Sequence, residues 1–376
     1  MRRGLIGWDA AEVPAAVLDA RLARFQAGMK KDGLDAALVY TNFPRPAAVS
    51  YLTHFVPYWS QSLLVVMPEG APILVSANTK RVAGWMEETS HLGRVECTGD
   101  IAGGTAKLLV AAKAKRIGIV EMGKLPGGIG VPLKEKLAGV KFEDASALFA
   151  RIRHPADAAE IALTRRAKSI ATDALDAAMA ERPREAGALI GAIEGAAREA
   201  GAEEVIIAVA SDLAREARLA RIEGEAPLGA RYAVRVSLAY KAHWIRLTRS
   251  AGDDGSRWAQ AIAHLAAGAA VPRGCTAEVS IGSAPLSPVA KLPPGSVATL
   301  SFAFDGPVLA GGPVLVPEMG PVVALSYFAG TNCGSIIAAA VGFLSISPMS
   351  TKDCAMNSTA LGSNVPSFEN DGICWS

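Results

Sequence analysis

The chain has 376 residues, enough for two domains, because a single hydrophobic core usually stops growing well before that length. Apolar residues make up 51% of the chain and charged residues 20%, as is usual in soluble globular proteins. The net charge of +2 gives no reason to expect a nucleic acid or an anionic membrane surface as a partner.

The sequence also lacks the usual signals for export or membrane insertion. Its start has two arginines but no apolar segment of the kind that secretory signals carry. The longest apolar run, residues 336–344, is far shorter than the roughly 20 residues that span a bilayer. We therefore expect a cytoplasmic protein without a membrane partner.

Cysteine and histidine do not indicate a metal site. The number of cysteines is odd and none forms a C-x-x-C pair, so neither a zinc knuckle nor a disulfide framework is predicted. The histidines are scattered, and no two have the spacing that puts two ligands on one face of a helix. These residues are Cys97, Cys275, Cys333, Cys354 and Cys374, and His54, His91, His154, His243 and His264.

The first 150 residues alternate helix-like and strand-like segments, which predicts an α/β unit. The helical spacing of Leu18, Leu22, Phe25 and Met29 ends at Gly33. The predicted elements that follow are a strand at 36–40, a hairpin of 62–67 with 73–76, a helix at 82–88 and a strand at 117–121. The glycine-rich segment 123–130 lacks the ending of a phosphate-binding loop and is interpreted as a flexible connection.

A second unit begins after a linker at 150–161. Pro155 suits a helix start, and the helix is predicted to continue through Ala167, Ile170, Ala174 and Ala177. Further predicted elements are a helix at 185–200, strands at 205–210, 232–240, 243–250 and 297–304, and a helix carrying Trp258, Ile262 and Leu265. The strands 232–240 and 243–250 are separated by only two residues and indicate a hairpin.

The composition changes at about residue 328. The last 45 or so residues hold four of the six asparagines and three of the five cysteines, and no arginine follows Arg273. A polar, weakly patterned end buries little surface, which predicts disorder or loose packing. An aberrant end from a shifted reading frame would have the same composition.

Four segments in order resemble the creatinase / aminopeptidase P / prolidase family. Residues 21–40 resemble its opening helix and first strand, and VSYLTHF (49–55) resembles its N-x-x-Y-L-T-G-F segment, with His54 at the glycine position. Residues 152–167 resemble the start of its second domain, and residues 227–250 resemble its ligand-bearing hairpin. The resemblance implies a small α/β domain followed by a "pita-bread" domain.

In active members of that family two aspartates on this hairpin, two further carboxylates and a histidine bind two divalent ions, which generate a hydroxide nucleophile. The resemblance places Arg235 and Arg246 at the two aspartate positions, Ser301 and Gly311 near the two other carboxylates, and no histidine in the expected segment. A substrate-facing histidine is also missing near Ala217 and Arg218. Guanidinium is permanently protonated and has no lone pair to donate, so we expect no metal and no cofactor.

If the arginines occupy the cavity, they suit a carboxylate or phosphate ligand, with Tyr240 and Trp244 as flanking aromatic residues. The alternative is that Arg235 and Arg246 pair with local acids or lie on a solvated strand face. His243 is the one histidine near the hairpin and therefore the candidate general acid or base, although a packed histidine is the simpler interpretation. The aromatic segment Phe55, Pro57, Tyr58 and Trp59 could line the interdomain cleft, pack in a core or contact a second subunit.

We therefore expect an α/β (α+β) fold: a creatinase-like domain at 1–150, a pita-bread domain at 151–327 that is truncated or degenerate at its end, and an atypical tail at 328–376. The leading hypothesis is a catalytically degenerate, metal-free homodimer that binds a small anionic or peptide-like ligand. Three alternatives stay open: a metal-independent creatinase-like C–N hydrolase, an Xaa-Pro aminopeptidase or dipeptidase, and a purely structural subunit.

Overall fold

The computed structural model describes residues 7–57, 59–222 and 224–325. All of these fall within one compact unit, Met1–Ala329. The predictions for the tail at 328–376 and for Tyr58 lie outside the described residues. No helix in the described part of the chain is long and apolar enough to cross a membrane.

Nine α-helices and fourteen β-strands form the described part of the fold. The helices are α1 (Ala15–Asp32), α2 (Ala47–Thr53), α3 (Ala83–Glu88), α4 (Ile101–Ala111), α5 (Gly127–Lys136), α6 (Ser146–Arg153), α7 (Ala158–Ala180), α8 (Ala186–Glu199) and α9 (Ser256–Ala263). The strands are β1 (Ala36–Thr41), β2 (Ser62–Val66), β3 (Ile73–Ser76), β4 (Arg94–Cys97), β5 (Arg116–Val120), β6 (Lys141–Asp144), β7 (Glu204–Ala210), β8 (Ala233–Tyr240), β9 (His243–Ser250), β10 (Cys275–Val279), β11 (Ser287–Val289), β12 (Ser296–Phe304), β13 (Val308–Val316) and β14 (Val323–Ala324).

The first domain is a six-stranded mixed sheet in the order β4-β3-β2-β1-β5-β6, with an apolar cluster on each face. The predicted hairpin is confirmed as the antiparallel pair β2–β3. Gly33, at φ 68°, ends α1 in the left-handed conformation that glycine adopts without steric cost. The alternation of helix and strand in the sequence therefore gave the correct class for this domain.

Two local predictions at helix starts are wrong. The glycine-rich segment 123–130 is not a flexible connection, because Gly127 begins α5, whose Ile129 and Leu133 are buried one turn apart. Burial of that apolar pair outweighs the low helix propensity of glycine. Pro155 does not start α7; Asp157 is the N-cap and its carboxylate accepts a hydrogen bond of 2.9 Å from the Glu160 amide.

The second domain is a curved sheet in the order β11-β10-β12-β13-β9-β8-β7, with β14 paired to β13. Helices α7 and α8 cover one face of β7, β8 and β9, while α9 packs against β10, β12 and β13. The predicted hairpin is confirmed as β8–β9, and its turn residues Lys241 and Ala242 both have positive φ. Such a two-residue turn matches the twist of the strands and fixes their register.

The two domains meet at a buried network of charges around Tyr51. The guanidinium of Arg21 forms two hydrogen bonds with the Asp157 carboxylate, at 2.6 and 2.7 Å, and lies 4.3 Å from the centre of the Tyr51 ring. Arg153 lies 4.6 Å from the same ring and forms a buried ion pair of 2.9 Å with Glu160. Each buried charge has an opposite partner, as burial of charge requires.

A second contact between the domains involves a loop that follows β10. The Glu121 carboxylate accepts hydrogen bonds from the amide of Ser283, at 2.7 Å, and from its hydroxyl. A Cβ atom at Gly282 would lie 2.7 Å from the Glu121 carboxyl carbon, so a larger residue there would displace the carboxylate from its hydrogen bonds with Ser283. The loop is thus held against the first domain.

Asp157→Asn tests the network around Tyr51. Asparagine keeps a helix-capping oxygen but leaves Arg21, whose side chain is 1% exposed, without an anionic partner. We expect the free energy of unfolding, measured with urea, to fall by about 3 kcal/mol. Asp32→Asn is the control because its pair with Arg151 is largely exposed, so that change should cost less than about 1 kcal/mol. Equal losses in the two variants would contradict the network's role.

Candidate functional site

One face of the second sheet carries polar side chains, whereas the other is apolar. In β8 and β9 the alternate residues Val234, Val236 and Leu238, and Ile245 and Leu247, belong to the apolar cluster under α7 and α8. The residues between them point the other way, because successive side chains in a strand alternate between faces. We call this second surface the polar face; its members include Arg235, Ser237, Trp244, Arg246, Thr248, Thr276, Glu278, Thr299, Ser301 and Gly311.

The register of the strands brings two arginines together on the polar face. Arg235 is paired with Thr248, and Ser237 is paired with Arg246, so the arginines are diagonal neighbours on adjacent strands. The Arg246 guanidinium contacts both carboxylate oxygens of Glu278 through Nη1 and donates a 3.3 Å hydrogen bond to the Ser237 hydroxyl through Nε. We call Arg235, Arg246 and Glu278 the two-arginine patch.

Arg235 differs from Arg246 in having no hydrogen-bond or ion-pair partner among the described residues. Its Nε atom is buried and has no hydrogen-bond acceptor among the described residues. Burial lowers the pKa of Arg235, and the positive charge of Arg246 lowers it further, while Glu278 raises it. The guanidinium stays protonated at neutral pH, so the patch carries one positive charge that no described acid neutralises.

The two-arginine patch has one carboxylate among the described residues. It belongs to Glu278, which is bound to Arg246. Ser301 and Gly311 are directly paired across β12 and β13, and a Cβ atom at Gly311 would lie 2.5 Å from the Leu300 carbonyl oxygen. No group of three or more histidine, cysteine, aspartate or glutamate residues that could hold a metal occurs within the described ranges.

The structure does not bring Tyr240 to the arginines, contrary to the sequence prediction. Tyr240 is on the helix-covered face of β8, where its hydroxyl donates a 2.7 Å hydrogen bond to Glu12 and its ring lies 5.9 Å from the Arg166 guanidinium. Burial, followed by the hydrogen bond with Glu12, raises the pKa of Tyr240 to about 12. Tyr240 is five positions after Arg235 in the strand, and residues an odd number of positions apart lie on opposite faces.

Trp244 and His243 line a small chamber of about 30 Å³ between the two domains. Tyr51, Arg153 and Glu160 of the interdomain network line the same chamber. The indole Nε1 of Trp244 is buried without a hydrogen-bond partner, and His243 Nδ1 lies 3.1 Å from the Lys241 carbonyl oxygen. Burial lowers the pKa of His243, which keeps the imidazole neutral at physiological pH.

The aromatic segment after α2 is divided between core and surface. Phe55 is buried in the first domain's core, whereas the Trp59 side chain is 65% exposed. The segment therefore does not act as one aromatic lining, as the sequence alone allowed.

His54 is an unusual residue that the sequence placed at a glycine position. It ends α2 at φ 59°, a left-handed conformation that glycine adopts readily and histidine rarely does. The ring is 2% exposed, and neither nitrogen has a hydrogen-bond partner among the described residues. Burial, followed by the charge of His243, lowers the pKa of His54 to about 3.

The chain is similar to known proteins in two comparisons, one with protein-family models and one with solved structures. The family model of the Creatinase/Prolidase N-terminal domain matches residues 21–154. Residues 21–154 are a creatinase/prolidase N-terminal domain. This domain and the second sheet together match solved prolidase and aminopeptidase structures in fold. No curated protein sequence matches the chain.

The solved structures are similar in fold at low sequence identity. A prolidase from Pyrococcus horikoshii OT3 has a TM-score of 0.64 and 17% identity, covering 82% of this chain and 98% of that one. An X-Pro aminopeptidase from Thermotoga maritima MSB8 has a TM-score of 0.64 and 16% identity, covering 82% and 97%. An Escherichia coli aminopeptidase P variant has a TM-score of 0.62 and 13% identity, covering 83% and 94%. The creatinase/prolidase N-terminal domain is thus followed by a sheet with the pita-bread fold, as the resemblance implied.

His54→Gly tests the buried imidazole through the pH dependence of stability. The folded pKa of about 3 lies below the ordinary value of 6.5, so between those values the unfolded chain takes up a proton that the folded chain does not. The His54 contribution to the free energy of unfolding therefore falls as pH drops below 6.5, by up to roughly 1.4 kcal/mol per pH unit. We expect the free energy of unfolding, measured with urea between pH 7.5 and 5, to depend less on pH in His54→Gly than in the wild-type protein. Equal pH dependence in the two proteins would contradict the lowered pKa of His54.

Proposed function

We propose that this protein is a catalytically degenerate, metal-free relative of the Xaa-Pro aminopeptidases and creatinase, and that it binds a small anionic or peptide-like ligand at the two-arginine patch. The observation that carries the proposal is Arg235, which holds a half-buried positive charge with a buried Nε and no acceptor among the described residues. A charge in that position lacks compensation within the fold, and an anion supplies it.

The chemistry of guanidinium favours a carboxylate or phosphate group as the ligand. Its donors form a planar fork that matches two oxygens of either group. Thr248 lies directly across from Arg235, and its Oγ1 is buried without a partner among the described residues, so it offers a further donor beside the arginine. A site that combines these groups suits recognition of an anion better than hydrolysis of one.

The metal-free part of the proposal is supported by the sign of the charges. A divalent cation at the polar face would be repelled by Arg235 and Arg246, and Glu278 is the one carboxylate in the patch. Two divalent ions need several carboxylates to offset their charge. The described residues of the patch instead carry more positive than negative charge.

A metallopeptidase acting on Xaa-Pro peptides is the second candidate, and the fold favours it. The similar structures include proteins described as a prolidase and as an X-Pro aminopeptidase.

A creatinase-like hydrolase without metal is a further alternative. It would use His243, whose neutral imidazole can accept a proton, although the structure places His243 in the interdomain chamber rather than in the two-arginine patch. We also propose that the protein is cytoplasmic and forms a homodimer. Light scattering of the purified protein tests the dimer.

Arg235→Gln tests the ligand site. We expect butyrate to raise the melting temperature of the wild-type protein by about 5 °C at roughly 100 times its Kd, because the ligand binds only the folded chain. The variant should lose this increase while its ligand-free melting temperature stays equal or rises, since the removed charge is desolvated and faces Arg246. Differential scanning fluorimetry measures both quantities.

Arg249→Gln is the matched control. Arg249 is on β9, next to the β8 strand that carries Arg235, and it is paired with Asp176 of α7, so it lies on the opposite face from the patch. It should respond to butyrate as the wild type does. If Arg235→Gln also keeps the full response, the arginines are not the ligand site.

The metal content and peptidase activity of the purified protein separate the two main candidates. We expect no stoichiometric manganese, cobalt or zinc by elemental analysis after incubation with each ion, and no hydrolysis of Xaa-Pro dipeptides. Two ions per chain together with turnover would establish the metallopeptidase and overturn the metal-free proposal.

A further inference from the structure

Glu278 supplies the one negative charge of the two-arginine patch. Its carboxylate, 16% exposed, contacts Arg246 Nη1 through both oxygens, and the Arg246 side chain is itself 31% exposed. Arg246 is further held by the Ser237 hydroxyl. Arg246 is therefore already engaged by an anion that belongs to the chain, while Arg235 is not.

We propose that Glu278 acts as a built-in counter-anion of Arg246, so that the patch accepts one negative charge and selects monocarboxylates over dianions. This inference rests on the proposed function, because it concerns the same ligand site. Arg235 receives the carboxylate. A second negative charge on the ligand would meet Glu278 rather than a free guanidinium, and like charges on a half-buried surface repel.

The surroundings of Arg235 also indicate what the rest of the ligand is. On the polar face Ala208 of β7 is paired with Arg235, and Ile206 is paired with Ser237. Ile206 is one of the large apolar side chains that remain substantially exposed. Apolar surface beside a carboxylate-binding arginine favours a hydrocarbon chain over a second polar group. The ligand class is therefore a monocarboxylic acid with an apolar substituent.

Butyrate and succinate test the charge selection because they share a four-carbon chain and differ by one carboxylate. At pH 7.5 and constant ionic strength we expect wild-type protein to bind butyrate roughly tenfold more tightly than succinate. In Glu278→Gln the patch has two uncompensated guanidinium groups, so the preference should disappear or reverse. Glu278→Asp keeps the charge and should retain the preference for butyrate. Isothermal titration calorimetry measures all six affinities.

The outcomes distinguish this inference from the proposed function. If wild-type protein binds both acids equally, or prefers succinate, the charge selection is wrong although the anion site stands. If Glu278→Gln leaves the ratio of affinities unchanged, Glu278 does not set the selection. If wild-type protein binds neither acid, the anion site itself fails and the inference fails with it. If Glu278→Gln does not fold, the wild-type ratio still tests the charge selection, and Glu278→Asp tests the part that Glu278 plays in it.

Discussion

The buried charges around Tyr51 are the interaction on which the arrangement of the two domains depends. Arg21 and Arg153 both lie against one aromatic ring, and each is neutralised by a carboxylate at the start of α7. Buried ion pairs favour one geometry, because any displacement leaves a charge without water or partner. The chamber lined by His243 and Trp244 adjoins this network, so the hairpin lies next to the same contacts. The four segments that resemble the creatinase / aminopeptidase P / prolidase family all meet here.

The alternation of side chains along the strands determines where the two arginines lie. The two-residue turn at Lys241 and Ala242 sets the pairing of β8 with β9, and that pairing makes Arg235 and Arg246 diagonal neighbours. A slip of one residue in this pairing would turn the polar residues of one strand, including its arginine, into the apolar cluster under α7 and α8, at a large cost in free energy. The position of the patch is therefore determined by the apolar face of the sheet as much as by the polar residues themselves.

The sequence predicted those features that depend on local periodicity, and missed those that depend on register. The hairpin, its bounds and the shared face of Trp244, Arg246 and Thr248 could be derived from alternation alone. Glu278 could not, because it reaches Arg246 across strands β12 and β13, whose alignment no local pattern encodes. Tyr240 was placed wrongly because the resemblance supplied its position along the chain, whereas its face follows from its odd separation from Arg235. His54 was visible as a departure from a glycine motif, but its burial and strained backbone depend on packing.

Under the proposed function, the polar face would let one fold serve ligands of opposite charge. The curved sheet places side chains from several strands around one point, and the ligand that suits that point is decided by the sign of those side chains. Carboxylates there would require cations, whereas guanidinium groups require an anion, and the geometry of the backbone is the same in both cases. Arg246 already has its anion in Glu278, so the proposed binding of an anion would rest on Arg235. An unpaired guanidinium reduces the stability of the ligand-free protein, and a bound carboxylate would recover that loss as binding free energy.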